Sequence, residues 1–157
     1  MEKNQFTLSL ALVDALPVLF FGGAAAMLGV KLQSALFIVG AALCLLAGAG
    51  KVVWKLLLAL RGKDVAILGA QLRYVMPAGF LLMLLGAFLA ERETVRTLLH
   101  AAVRLPSAAF FALTIVGLVA MIVCAKKFDR YDVRGNWIEQ GINAAAQACA
   151  LIGALLL

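Results

Sequence analysis

The sequence predicts an all-α fold: a polytopic integral membrane protein, a bundle of five transmembrane helices with a short amphipathic helix on its outer surface. Three observations carry that expectation. Hydrophobic residues make up 65% of the chain and charged residues only 14%, far from the balance of a soluble domain. The apolar residues fall into continuous runs of about 20, each enough to cross a hydrocarbon core of about 30 Å. Those runs also lack the alternating polarity of transmembrane β-strands.

The first run extends from Phe6 to Val30. It is too long for the apolar part of a cleaved signal, and its flank, Met1-Glu2-Lys3-Asn4, has almost no net positive charge, so it reads as a span. The second, Ser34 to Leu60, is longer than a crossing needs and is expected to tilt or project. The third, fourth and fifth are Leu72 to Ala90, Leu105 to Ala125 and Trp137 to Leu157. The connections at residues 31–33, 61–71, 91–104 and 126–136 are too short for a soluble domain, so residues 1–157 form one five-helix unit. Within Glu91 to Arg104, Arg96, His100 and Arg104 recur every four residues, while Val95, Leu98, Leu99, Ala102 and Val103 fall largely on other faces. That pattern predicts a helix lying along the outer surface.

Orientation follows from the basic residues. Lys3, Lys51, Lys55, Arg61, Lys63, Arg73, Lys126, Lys127, Arg130 and Arg134 would share one side, against Lys31, Arg92, Arg96 and Arg104 on the other. The amino terminus of this multi-pass cell-membrane protein is therefore expected in the cytoplasm and the carboxy terminus outside. The net charge of +6 then reflects topology and attraction to anionic lipid headgroups. No nucleic-acid motif lies between the basic residues, so membrane lipids are the expected partners.

The fifth run is the informative one. Asn136, Glu139, Gln140, Asn143 and Gln147 crowd into a stripe roughly 100° wide on one side of a helix. An unpaired polar group in hydrocarbon costs several kcal/mol, so the stripe is expected to face other helices or a water-filled cavity. Asp14 in the first run lies at a comparable depth, at the level expected for Asn143. Thr7 shares its face, and Pro17 frees the carbonyl of Val13 beside it. Lys51 and Lys55 near the end of the second run, and Arg73 at the start of the third, approach the same level, with Gln71 and Tyr74 nearby. The candidate ligand-binding set is therefore Asp14, Lys51, Lys55, Arg73, Glu139, Gln140, Asn143 and Gln147, around a polar half-cavity open to the cytoplasm. Each member also has a plain structural reading: Asp14 paired with Lys51 or Lys55, amides as helix glue, lysines reaching to headgroups.

Small residues at four-residue spacing, Gly141, Ala145, Cys149 and Gly153, allow close helix packing within one chain, in a homodimer or against a partner membrane subunit. Cys44, Cys124 and Cys149 are scattered and His100 is alone, so no metal site, haem or other cofactor is expected. No phosphate-binding glycine loop or nucleophile turn is present, and no catalytic residue stands out. Asp129-Arg130-Tyr131 belongs to a run of alternating charges that reads as a solvated inner loop. These features favour a small transporter or binder of an ion, polar small molecule or lipid headgroup. The alternatives are a membrane-embedded lipid-modifying enzyme and a non-catalytic subunit of a larger complex.

Overall fold

The computed structural model describes residues 8–61, 65–128 and 133–157. Lys3, Thr7, Lys63 and the Asp129-Arg130-Tyr131 triplet, which entered the sequence reading, lie outside the described residues. Among the described residues there are helices and no strand: α1 (Leu8–Leu32), α2 (Ala35–Arg61), α3 (Ala66–Ala70), α4 (Leu72–Leu89), α5 (Arg92–Ala102), α6 (Ser107–Lys127) and α7 (Val133–Leu155).

Among the described residues, four helical stretches are long and apolar enough to cross a membrane: Ser9–Leu32, Ala35–Arg61, Ala66–Leu89 and Ser107–Cys124. The third begins earlier than the sequence predicts. Residues 66–70, expected in a connection, form α3 and run into α4 through Gln71, whose N–H donates to the carbonyl of Ile67 at 3.0 Å and whose carbonyl accepts from Val75 at 2.8 Å. The apolar, proline-free segment Val65 to Ala70 can continue a helix, and the polar side chains of Gln71 and Arg73 do not stop one. The expected fifth span, Trp137 to Leu157, falls on α7 (Val133–Leu155), a 23-residue helix outside those four stretches and less apolar because Asn136, Glu139, Gln140, Asn143 and Gln147 interrupt it.

The turn between α1 and α2 makes them antiparallel neighbours. Gln33 adopts a left-handed conformation, φ 51°, and the N–H groups of Gln33 and Ser34 donate back to the carbonyls of Val30 and Gly29 at 3.1 and 3.3 Å. This paired closure satisfies the last carbonyls of α1. Ser34 then caps α2 by accepting the N–H of Phe37 at 3.3 Å and donates its own hydroxyl to the carbonyl of Gly86 at 2.9 Å.

The helices neighbour one another in the order α4, α2, α1, α7, α6, with α1 central and α5 touching both α1 and α6. α1 and α2 are buried over far more of their length than α4 and α6, the two ends of this series. Close approach of α2 and α4 depends on glycine. A Cβ added at Gly79 would lie 2.6 Å from the Sγ of Cys44 and 2.8 Å from the carbonyl of Gly40, and one added at Gly86 would collide with the backbone of Phe37. A core of Ala25, Leu32, Phe37 and Ala41 fills the α1–α2 end near this turn, where Met83 and Ala87 of α4 and Val95 and Leu98 of α5 close over it. Phe21 meets Phe80 edge-on, with ring centroids 5.8 Å apart.

Candidate functional site

Asp14 lies on the side of α1 that also carries the buried Leu10, Ala11, Pro17, Ala24 and Ala25. The helical repeat brings residues three and four apart onto one face, so a carboxylate here must enter the protein interior. The facing side of α2 repeats Ala41, Cys44, Ala47, Gly48 and Lys55. Its small side chains let the helices close up, with Val18 of α1 against Gly48 and Leu45 against Gly22. Lys51 and Lys55 therefore belong to the interior face of α2, and Lys55 does not reach out to headgroups.

Asp14 and Lys55 form an ion pair across α1 and α2. Each residue is only 4% exposed, which makes this a desolvated pair. At a rise of about 1.5 Å per residue, Asp14 lies about 9 Å from the start of α1 and Lys55 about 9 Å from the end of α2. The pair thus sits within the helical layer, nearer one edge than the other. Lys51, half-buried one turn earlier, and Glu139 of α7, also half-buried, are close enough for their charges to act on the Lys55 ammonium. Asp14, Lys51, Lys55 and Glu139 come from three helices, and their formal charges sum to zero. Neutrality matters because an isolated charge in a low-dielectric interior is prohibitively costly.

Gln140 adds a feature of a different kind. It is 2% exposed, and its Oε1 has no hydrogen-bond partner among the described residues. An orphaned buried acceptor costs about 1–3 kcal/mol. Packing alone is better served by an apolar residue at this place.

The other candidate residues are distributed as follows. Asn143 and Gln147 are half-buried along α7, on the side of Gln140. The carboxylate of Asp14 is taken by Lys55, where the sequence reading also offered Asn143 at that depth. Gln71 lies against Gly50, next to Lys51, where the missing side chain makes room for its amide. Arg73 and Tyr74 are exposed on α4, away from the side carrying the buried Gly79 and Gly86.

Hydroxyl groups that the sequence reading passed over fasten the helices. Ser107, buried at the start of α6, donates to the carbonyl of Gly153 in α7 at 3.0 Å, and Thr114 donates to Ala146 at 3.2 Å as well as to Phe110 at 2.9 Å. The signal was present: both Ser34 and Ser107 open an apolar helix and face a glycine carbonyl near the end of a neighbour. No protein-family model, curated protein or solved structure matches the chain.

Proposed function

We propose that this is a small membrane transporter or binder in which a proton on Asp14 releases Lys55 to receive an anionic group of a small polar solute or headgroup. The observation that carries this reading is the buried Asp14–Lys55 pair with Lys51 and Glu139 around it. Buried ion pairs are often no more stabilising than apolar residues of the same volume. A buried ion pair with two further charges acting on it, and an unsatisfied Gln140 acceptor next in sequence to Glu139, is an expensive fastening and an effective switch. When Asp14 is neutral, the group of Asp14, Glu139, Lys51 and Lys55 carries one excess positive charge. A carboxylate or phosphate can balance it, with Lys51 as second donor and the Gln140 amide within the same layer.

In this reading α7 crosses the membrane as a fifth span, its polar stripe sheltered between α1 and α6. The charge distribution then places the amino terminus in the cytoplasm, the carboxy terminus outside and α5 along the outer surface as an amphipathic helix. The site lies in the inner half of the bilayer.

The test uses purified protein in detergent, with thermal stabilisation by millimolar acetate, succinate or inorganic phosphate measured from acid to neutral pH. The parent is expected to be stabilised more strongly as pH falls. Asp14→Asn, which is permanently uncharged at this position, should lose the part of that pH dependence that exceeds the titration of the anion itself. An Asp14→Asn protein that keeps the parent's pH profile removes the carboxylate from the mechanism.

A second reading concerns assembly. Gly141 has nothing within 4 Å of where a Cβ would stand, and Ala145 on the same side is exposed. This face of α7 leaves room for a second copy or a partner helix. Cross-linking in the membrane that is lost in Gly141→Ile would support it, and cross-linking unaffected by that change would count against it.

A further inference from the structure

At the opposite end of the molecule from the Asp14–Lys55 pair, α5 carries Arg92, Arg96 and His100 at four-residue intervals, and Arg104 continues the series beyond its end. All four are exposed. Glu91 and Glu93 share the segment, with Glu91 accepting the hydroxyl of Thr94 at 3.2 Å. Among the described residues none of these arginines has a carboxylate within salt-bridge distance; the ion pair found there is Asp14–Lys55. Three guanidinium groups against the two carboxylates of Glu91 and Glu93 leave a net positive excess at this edge of an apolar bundle, with no guanidinium held in a salt bridge among the described residues.

Shape points the same way. Where α4 gives way to α5 there is an open cleft of about 800 Å³, lined by Phe88, Leu89, Arg92, Arg96, Leu99 and His100 among others. A second, of about 560 Å³, lies on the other side of α5, with His100, Arg104 and Ser107 in its wall. The first cleft has two chemically different halves. Arg92, Arg96 and His100 supply donors for a phosphate, and the planar arginine fork suits its oxygens. Below them Leu81, Leu84, Leu85, Phe88 and Leu89 of α4 are exposed, forming an apolar strip more than a helical turn long.

From this arrangement we infer that the α4–α5 cleft is a binding site for an anionic phospholipid, its headgroup phosphate held by Arg92, Arg96 and His100 and its acyl chain lying along Leu84, Leu85 and Phe88. Charge complementarity selects the headgroup, and the adjoining apolar strip selects a lipid over a free phosphate. The site is independent of the Asp14–Lys55 pair and of which side of the membrane α5 occupies.

Quenching of a tryptophan in the cleft tests this. Phe88→Trp, at an exposed aromatic position, introduces the reporter, with the parent chain giving the background from Trp54 and Trp137. The protein is reconstituted into phosphatidylcholine vesicles containing a small fraction of brominated phosphatidylglycerol, or of brominated phosphatidylcholine in parallel. Brominated phosphatidylglycerol is expected to quench the reporter well beyond its share of the lipid, and the phosphatidylcholine probe only in proportion. Adding Arg92→Gln and Arg96→Gln should reduce the preference by roughly fivefold for each arginine removed, with thermal stability in phosphatidylcholine unchanged. Millimolar inorganic phosphate should not displace the lipid. Equal quenching by both probes, an unchanged preference in the double arginine variant, or displacement by phosphate alone would overturn the assignment.

Discussion

The chemistry of this protein is concentrated at single residues that break the rules of their surroundings. Asp14 and Lys55 are buried in helices made mostly of apolar residues, and each makes the other tolerable. Removing one partner strands a charge: Lys55→Met should destabilise the protein by about 3–5 kcal/mol. The double change Asp14→Leu with Lys55→Met removes both charges and should recover most of that loss. Thermal unfolding of the three proteins in detergent measures this directly. Recovery in the double variant together with loss of anion stabilisation would separate function from folding at this pair. Asp14 was legible as an anomaly from sequence alone, because a carboxylate in an apolar run needs a partner. Which lysine answers it was not legible, since Lys51 and Lys55 are one helical turn apart and only the crossing of α1 and α2 distinguishes them.

Helix packing depends on very small side chains and a few hydroxyls. Gly79 and Gly86 bring α4 against the backbone of α2, so Gly79→Val should cost about 1–3 kcal/mol through overpacking. Gly141→Ala, in open space on α7, should be neutral or slightly stabilising because alanine favours the helix. The contrast between these variants in thermal stability checks the packing. Ser34→Ala loses both the cap on α2 and the bond to Gly86, an expected destabilisation of about 1–2 kcal/mol from the two contributions together. Small residues at four-residue spacing were visible on α7 in the sequence. Their use was not: α7 meets α6 through Ala146 against Gly117 and through Gly153 against Phe111, while Gly141 and Ala145 stay exposed. Several faces of an Ala-rich helix are narrow enough for close contact, and periodicity does not choose among them.

For the molecule as a whole, α7 decides the topology. With α7 as a fifth span the two termini lie on opposite sides of the membrane; with the four strongly apolar stretches alone they lie on the same side. A reporter active only outside the cytosol, fused after Leu157, should be active, and one placed in the α2–α3 connection should be silent. Activity at neither position would leave four crossings. The helix order α4, α2, α1, α7, α6 also explains how a weakly apolar helix can be accommodated, because α7 is flanked on two sides by α1 and α6.

By itself, the sequence determined that this is a helical membrane protein, where most of its apolar helices lie and which polar residues are out of place. These properties follow from composition and local periodicity, which act over one or two helical turns. It did not reveal α3, because Gln71 and Arg73 look like a boundary while the backbone continues through them. Only the tertiary structure decided that Asp14 belongs to Lys55, that the charges of Glu139 and Lys51 act on Lys55, that the Gln140 Oε1 has no hydrogen-bond partner among the described residues and that Arg73 stands apart. Those outcomes depend on the relative rotation and height of neighbouring helices. Such quantities arise from side-chain volumes packed across the chain, and residues distant in sequence set them together.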